Sequence, residues 1–477
     1  MRPGTFAVVV LYREHGRRRE GWWMRSGMLS LARLRDRVDA GEIDTVLVAM
    51  TDMQGRLQGK RCSARYFVNE VVEHATEACG YVLAVDVEMA TVDGYALSSW
   101  NTGYGDIVLR PDLDTLRMAP WWPDTALVLC DVEQVIPQGR PITVSPRQIL
   151  RKQLHRLAER GLRALVGTEL EFMVFDESYK DSWNRGYRDL TPVNYYSTDY
   201  SMLGTARVEP LLRRIRREMG GAGMYVESAK GECHPGQHEI AFRYDDALVT
   251  CDNHSIYKTG AKEIAMQEGH SLTFMAKYDH REGNSCHIHL SLRNDSGEAV
   301  FAGDGPSATS TLMRHFIAGQ LDCLREFTYL LAPNINSYKR FTSGSFAPTR
   351  IVWGRDNRTC AIRLVGEDRS LRLEHRVPGG DVNPYLAVAA VIAAGLRGID
   401  RCLPLEPEFH GNAYRSQRPR VPRTLREAAE LFGSSPVARE AFGDDVVEHY
   451  CNLARVELDA YDAVVTDWER VRGFERF

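Results

Sequence analysis

The chain has 477 residues, of which 44% are hydrophobic and 26% are charged, a balance typical of globular proteins. Its formal net charge of -4 gives no electrostatic reason to expect nucleic acid or a membrane as a partner. Ten cysteines without a CxxC pair indicate reduced thiols, and residues 6–11 lack the cleavage site of a signal peptide. We therefore predict a cytoplasmic protein of one large domain or two unequal ones.

The first part of the chain is predicted to form a small, mostly β domain. An amphipathic helix is predicted over residues 29–40 and a strand over residues 45–50. A hairpin is predicted over residues 53–60, where two glycines permit a tight turn. Short strands and turns continue to about residue 136.

Prolines and glycines then separate this part from the rest of the chain. Ser145 and the proline after it are a typical start of a helix. We place a domain boundary near residue 138, so that residues 28–137 form the N-terminal domain and residues 138–477 the larger domain. Residues 1–27 are expected to be a poorly structured extension.

The larger domain is predicted to mix helices and strands. Strands are predicted over residues 167–175, 240–242 and 285–290. The irregular segment 178–204 is long, and such loops in compact enzymes often border a site. Helices are predicted over residues 146–159, 209–219, 246–268, 308–331 and 384–399, and from residue 424 to the end.

The strand predicted over residues 167–175 carries two carboxylates on one face. Side chains alternate along a strand, so Glu169 and Glu171 point the same way between apolar neighbours. Two ionised carboxylates on a buried face repel each other and lose hydration. They are tolerable if one is protonated, if basic residues pair with them, or if they bind cations. We favour cation binding, because other segments supply further ligands.

Other segments also place polar groups at alternate positions. His287 and His289 lie on the same face of one predicted strand. In a separate segment, the same face carries Arg372, Glu374 and Arg376. Two more glutamates flank a Pro-Gly turn. The candidate metal ligands are Glu169, Glu171, Glu232, Glu239, His287 and Glu374. Oxygen-rich ligation favours Mg²⁺ or Mn²⁺ over zinc, and six such ligands suit two octahedral ions.

An arginine cluster accompanies these acids and favours phosphoryl transfer. Guanidinium groups match phosphate and carboxylate with paired hydrogen bonds, and paired cations neutralise charge on transferred oxygens. The motif GxxxGK at residues 55–60 is one residue short of a phosphate-binding loop, and we discard it. The arginines are Arg340, Arg358, Arg363, Arg372 and Arg376.

These ordered motifs resemble the class I glutamine synthetase superfamily. The matching segments are residues 169–172, 232–239, 287–289, 336–340, 357–363, 372–376 and 383–386. The resemblance implies an α+β fold, with an N-terminal β-grasp domain and a large catalytic domain of antiparallel sheet with flanking helices. It also implies a dodecamer of two stacked hexameric rings, in which neighbouring subunits share each active site. No nucleic acid or membrane partner is implied.

The resemblance further implies a role for each motif residue. One metal ion is expected on Glu171, Glu232 and Glu239, and the second on Glu169, His287 and Glu374. The expected contacts to ATP phosphates are His289, Arg358 and Arg372. Glutamate and the transferred phosphoryl group are expected on Gly283, Arg340, Arg363 and Arg376, with Arg340, Arg358 and Arg363 as catalytic residues.

Two departures from the family bear on the second substrate. Glutamine synthetases that use ammonium carry a glutamate six residues after the position of Arg340, where this chain has Phe346. Their Asp-Gly-Ser-Ser loop here begins with Asp93 but lacks the serines. A cation site without its anions no longer favours ammonium, whereas an aromatic ring can contact an alkyl chain or an ammonium head. Alternatively, Phe346 only packs its own loop.

This pattern resembles the family members that join glutamate to organic amines. We predict an ATP-dependent ligase that forms a γ-glutamyl phosphate intermediate and transfers the glutamyl group to a small amine, with ethanolamine favoured. The amine-pocket candidates are Phe346, Asp93 and Tyr196. The alternatives are polyamines such as putrescine, spermidine or spermine as acceptors, glutamine synthesis from ammonium, and an inactive structural relative. Regulation by adenylylation is not expected, because Tyr414 lacks the acidic, proline-rich surroundings of that site.

Overall fold

The computed structural model describes residues 26–136, 139–304 and 308–477. Most of the predicted N-terminal extension and the boundary predicted near residue 138 lie outside these ranges. Within them, every helix is too short or too polar to cross a bilayer.

The first sheet has six strands in the order β2-β1-β6-β4-β3, with β5 on β6. Its central strands β1 and β6 are parallel, and the other pairs are antiparallel. The predicted hairpin is confirmed: Asp52 accepts hydrogen bonds from the main-chain N–H groups of Gln54 and Arg56, and Gly55 adopts a φ of 82° in the turn. The strands are β1 (Thr45–Thr51), β2 (Leu57–Ser63), β3 (Thr76–Cys79), β4 (Asp106–Pro111), β5 (Arg117–Met118) and β6 (Thr125–Gln134).

Helical structure in this part is more extensive than predicted. The predicted first helix is α1 (Leu31–Asp39), whose N-cap Ser30 accepts a hydrogen bond from Arg33 N. An unpredicted helical stretch connects β2 to β3. It consists of α2 (Ala64–Tyr66), a π-helical turn (Phe67–Val71) and α3 (Val72–His74). Its valines and aromatics favour a strand locally, but burial of Phe67 and Val71 on one side stabilises the helix.

The second sheet has nine strands in the order β13-β14-β15-β12-β7-β9-β8, with β10 and β11 also on β7. All pairs are antiparallel except β13 and β14, which are parallel, so the sheet is antiparallel as predicted apart from this edge. The strands are β7 (Leu162–Phe175), β8 (Val226–Gly231), β9 (Gln237–Phe242), β10 (Asp245–Asp246), β11 (Ser271–Thr273), β12 (Cys286–Asn294), β13 (Trp353–Arg355), β14 (Ile362–Val365) and β15 (Arg372–His375).

Eleven further helices accompany this sheet in the described ranges. The segment predicted as irregular over residues 178–204 in fact contains α5 and the start of α6. The helices are α4 (Pro146–Ala158), α5 (Tyr179–Asn184), α6 (Met202–Ala206), α7 (Glu209–Gly221), α8 (Ala247–Gln267), α9 (Thr311–Leu331), α10 (Pro384–Asp400), α11 (Leu425–Ser434), α12 (Pro436–Phe442), α13 (Asp444–Asp462) and α14 (Asp467–Gly473).

The apolar helix α10 is buried on nearly all sides and contacts α9 through glycines. A Cβ atom on Gly319 would lie 2.0 Å from Ala394 O, and one on Gly398 would lie 1.9 Å from His315 O. Only glycine permits this approach of the two backbones.

An ion-pair network on α4 connects the two sheets. The buried Arg147 donates to Asp131 on β6 at 2.6 Å, to Asp112 after β4 at 2.7 Å, and to Asp252 on α8 at 3.0 Å. Tyr385 on α10 also donates to Asp252, at 2.7 Å. A buried guanidinium requires such partners, so the network fixes the second sheet and its helices relative to the first sheet.

Candidate active site

Three strand pairings bring the predicted metal ligands onto one face of the second sheet. His287 on β12 lies opposite Glu169 on β7. His289 lies opposite Glu374 on β15, and Glu171 lies opposite Glu239 on β9. The sheet register therefore joins acids as far apart in the sequence as Glu169 and Glu374.

The first cluster consists of Glu171, Glu232 and Glu239, each of which offers an oxygen within 4.8 Å of the others. Glu171 Oε2 accepts hydrogen bonds from Ser285 N at 2.6 Å and from Gln237 Nε2 at 3.0 Å. These donors fix the orientation of one carboxylate before any ion is present.

The electrostatics of this cluster favour a bound cation. Burial and then the charges of Glu169, Glu171 and Glu374 raise the pKa of Glu239 to about 8, although Lys230 counteracts this. Lys230 also forms an ion pair with Glu232. Three acids with one ammonium group leave a negative pocket, and hard oxygen ligands in that number suit Mg²⁺ or Mn²⁺.

The second cluster consists of Glu169, His289 and Glu374, with ligand atoms again within 4.8 Å of one another. His287 also belongs here, because its Nδ1 lies 3.2 Å from Glu169 Oε2 and 3.4 Å from Glu374 Oε1. The structure thus brings both histidines to the acids. Burial raises the pKa of Glu169, but the two histidines outweigh it and the pKa is lowered.

The two histidines differ in what the Nδ1 atom contacts: Arg372 for His289 and Glu169 for His287. Arg372 Nε donates to His289 Nδ1 at 3.1 Å, so a neutral His289 carries its proton on Nε2. That protonated nitrogen lies 2.9 Å from Glu169 Oε1. Burial, followed by Arg376, lowers the pKa of His287 and favours its neutral form. The Nδ1 of His287 is the ring nitrogen that faces the two acids, at hydrogen-bond distance from Glu169 Oε2, and it would have to give up its proton there to ligate a metal ion.

The arginines take three different positions. Arg363 donates to Glu374 Oε2 at 2.7 Å, and Arg376 forms an ion pair with Glu374 Oε1. Arg340 is 3% exposed and donates to the main-chain oxygens of Val377 and Arg376, at 2.7 and 3.0 Å. Arg358 is exposed, and in the described ranges it has no hydrogen bond or ion pair.

Gly283 lies beside Arg340. A Cβ atom on Gly283 would lie 2.1 Å from Ala276 O and 3.2 Å from Arg340 Cγ, so a larger residue would clash with the main chain of Ala276 and crowd this arginine. Burial lowers the pKa of Arg340 to about 10, although Glu171 counteracts this, and the guanidinium remains charged at neutral pH.

The three amine-pocket candidates are all exposed. Phe346 is 55% exposed, so much of its surface is open to a ligand. Its carbonyl oxygen accepts a hydrogen bond from Arg376 Nη2 at 3.4 Å. Arg376 in turn forms an ion pair with Glu374 of the second cluster. Tyr196 and Asp93 make no hydrogen bond or ion pair to either cluster in the described ranges. Asp93 lies against α13, where its carbonyl oxygen accepts a hydrogen bond from Asn452.

Sequence reasoning missed three residues of the site. Lys230 and Gln237 contact the first cluster, and Asp356 forms an ion pair with Arg363. The sequence contained a signal for two of them. Lys230 lies two positions before the candidate ligand Glu232, and Asp356 lies two positions before the candidate Arg358.

The comparisons with known proteins agree with this geometry. Residues 143–472 match the glutamine synthetase catalytic domain family. The chain is 63% identical to the gamma-glutamylethanolamide synthetase GlnA4 of Streptomyces coelicolor over 452 residues, which cover 95% of this chain and 97% of that protein. It is 36% identical to the glutamate–isopropylamine ligase of a Pseudomonas species, over 93% of this chain and 97% of that protein. The solved structure of apo GmaS superimposes with a TM-score of 0.81 at 27% identity, covering 93% of this chain and 99% of that one.

Fold, carboxylate clusters and arginines together define a carbon–nitrogen ligase of the kind that uses ATP and divalent metals. The chain belongs to the glutamine synthetase family.

Proposed function

We propose that this ligase joins the γ-carboxylate of L-glutamate to a small organic amine, with ethanolamine as the favoured acceptor. The proposal is carried by Phe346, an exposed aromatic residue. Its carbonyl oxygen accepts a hydrogen bond from Arg376, which lies beside the second cluster. An aromatic ring favours an alkyl chain or an organic ammonium head over the strongly hydrated ammonium ion. The similarity to the gamma-glutamylethanolamide synthetase supports ethanolamine.

Two divalent ions, Mg²⁺ or Mn²⁺, are proposed on the two clusters. Glu171, Glu232 and Glu239 hold the first ion, and the raised pKa of Glu239 fits a position that requires a cation. Glu169, Glu374 and the Nδ1 of His287, which faces both acids, would hold the second. When bound, such ions neutralise charge on phosphate oxygens and orient the reacting groups.

The arginines and His289 would bind the anionic substrates. Arg358 and Arg372 with His289 are proposed to contact ATP phosphates, and this is supported by the exposure of Arg358 and its lack of a polar partner among the described residues. Glutamate and the transferred phosphoryl group are proposed to lie against Gly283, Arg340, Arg363 and Arg376. Arg340, Arg358 and Arg363 would then stabilise charge on the transferred group.

The reaction has two steps. An oxygen of the γ-carboxylate attacks the γ-phosphorus of ATP, and ADP leaves. The amine nitrogen then attacks the acyl carbon of γ-glutamyl phosphate, the bond from that carbon to the phosphate oxygen breaks, and phosphate and a proton are released. Water must be excluded during the second step, because it would hydrolyse the intermediate.

We also propose the family's assembly and domain division for this chain. Asp93 is exposed and, among the residues that the structure describes, makes no polar contact with the clusters of its own chain, which supports its supply to the site of a neighbouring subunit in a dodecamer. The two sheets support an N-terminal β-grasp domain over residues 28–137 and a catalytic domain over residues 138–477. Ten unpaired cysteines support a cytoplasmic location.

Steady-state assays with ATP, glutamate and a panel of amines test this function. We expect phosphate release to be stimulated most by ethanolamine, less by polyamines and least by ammonium, with the γ-glutamyl amide identified by mass spectrometry. A higher kcat/KM for a polyamine would favour the polyamine alternative, and ammonium as the best acceptor would overturn the proposal. Absence of turnover with every amine would favour an inactive relative.

A further inference from the structure

Lys230 brings a positive charge to the first carboxylate cluster. It lies on β8 directly opposite Glu239 on β9, so the two side chains are neighbours on one face of the sheet. Its Nζ forms an ion pair with Glu232 Oε1. One ammonium group therefore contacts one of the three acids proposed to hold the first ion and lies beside a second.

The ring of Tyr200 is another partner of the same ammonium group. Lys230 Nζ lies 4.8 Å from the centroid of this ring, within the range of cation–π attraction. The segment that carries the ring is joined to the end of β8, because Asp199 pairs with Gly231 and Thr198 N donates to Glu232 O at 3.3 Å. The Lys230 side chain is 26% exposed, so its ammonium group has room to leave Glu232 and stay near the ring.

A divalent ion and this ammonium group compete for the same carboxylates. In the metal-free protein, the ammonium group offsets the repulsion between Glu232 and Glu239. Once an ion binds the cluster, the ammonium group and the ion are two like charges a few ångströms apart, and they repel each other. The charge that stabilises the metal-free cluster therefore opposes the binding of the ion.

We propose that Lys230 is an internal counter-ion of the first cluster, which lowers the affinity of that cluster for its divalent ion. The ion displaces the ammonium group from Glu232, and the ring of Tyr200 retains it beside the cluster. The inference rests on the metal site described under the proposed function. It goes beyond that site, because it assigns control of the metal affinity to a residue that is not a metal ligand.

The substitution Lys230→Met tests this, since it removes the charge and nearly keeps the length of the side chain. The variant should fold, because β8 is an edge strand of the second sheet and Lys230 is partly exposed. In Mn²⁺ titrations of the full-length protein without nucleotide, followed by electron paramagnetic resonance, one ion should bind with a Kd about tenfold lower than in the wild type. The double variant with Glu239→Gln should lose that ion, which assigns it to the first cluster.

Two further variants separate charge from shape. Lys230→Arg keeps the charge and should retain a Kd close to that of the wild type. Lys180→Met, which changes an exposed lysine on α5, is the matched control and should leave both ions unaffected. Tighter binding in Lys230→Arg as well would show that the shape of the side chain, and not its charge, sets the affinity, and this would overturn the inference.

Thermal unfolding gives a readout that needs no turnover. The gain in melting temperature from EDTA to a fixed Mn²⁺ concentration should be larger for Lys230→Met than for the wild type, because a more tightly bound ion stabilises the folded state more. An unchanged Kd in Lys230→Met would overturn the role of Lys230 and leave the metal site intact. A wild type that binds no ion at this cluster would overturn the proposed metal site itself, and the inference with it.

Discussion

Glu171 on β7 and Glu239 on β9 are directly opposite residues of neighbouring antiparallel strands. Like charges in such positions destabilise a sheet. The Glu171 carboxylate receives hydrogen bonds from Ser285 N and Gln237, whereas the Glu239 carboxylate has no hydrogen bond or ion pair in the described ranges. The sheet therefore contains a position that becomes favourable when a cation binds.

The first prediction concerns the pH dependence of stability without metal. The pKa of Glu239 is raised from 4.5 to about 8, so between these values the folded protein binds more protons than the unfolded chain. Stability contributed by this group is thus lost as the pH rises through that window, by up to about 1.4 kcal/mol per pH unit. Thermal unfolding in EDTA should show a melting temperature that falls from pH 5.5 to pH 7.5.

The variant Glu239→Gln provides the control for this effect. A neutral amide has no proton to lose, so the fall in melting temperature should be smaller than in the wild type. Mg²⁺ should stabilise the wild type more at pH 7.5 than at pH 5.5. Equal pH slopes for the two proteins in EDTA would contradict the assignment.

The second prediction concerns the choice of acceptor. Phe346→Glu places a carboxylate where the ring lies, and attraction to a nearby ammonium ion of about 1–2 kcal/mol should raise the kcat/KM for ammonium roughly tenfold or more relative to ethanolamine. Phe346→Gln, similar in size but neutral, should not produce this gain. No improvement with ammonium in the glutamate variant would count against a role for Phe346 in selecting the amine.

The third prediction contrasts two arginines. Arg358→Ala should raise the KM for ATP by about tenfold or more without changing the melting temperature, because this exposed residue has no polar partner in the described ranges. Arg340→Ala should lower the free energy of unfolding by about 2–3 kcal/mol, because two buried carbonyls lose their donor. Kinetics and thermal unfolding measured on both variants check this. A destabilised Arg358→Ala protein with an unchanged KM would reverse the assignment.

The fourth prediction concerns the metal-ligand carboxylates. Glu171→Ala should reduce turnover by at least about a hundredfold, since it removes a direct ligand of the first ion. Size-exclusion chromatography should show the same assembly as the wild type. Glu298→Ala, an exposed glutamate that bonds only to Asn294 in the described ranges, should keep full activity. Comparable losses of turnover in both variants would show that turnover depends on the overall negative charge of the protein and not on the first cluster.

Sequence patterns predicted which side chains share a strand face better than they predicted which side chains are in contact. Alternation along a strand places Glu169 with Glu171, and His287 with His289, on one side whatever the register. Which histidine meets which acid depends on pairing between β12, β7 and β15, and pairing is set by contacts across the sheet. Local patterns contain no such information.

The charged residues around the proposed metal ligands, and their partners, were harder to predict than the metal ligands themselves. Lys230 forms an ion pair with Glu232, and Arg340 is tied to the main-chain oxygens of Val377 and Arg376. A lysine two residues before a glutamate is common on exposed strands, and main-chain acceptors have no residue signature. The helical stretch over residues 64–74 was missed because its local propensity favours a strand and tertiary burial overrides it.

The most direct test of the account is the number of Mn²⁺ ions bound per chain in the absence of nucleotide. Titration followed by electron paramagnetic resonance should give two ions for the wild type. Glu239→Gln should lose the ion of the first cluster and Glu374→Gln that of the second, leaving one ion in each variant. Fewer than two ions in the wild type, or no loss in either variant, would contradict two separate ion sites on these carboxylates.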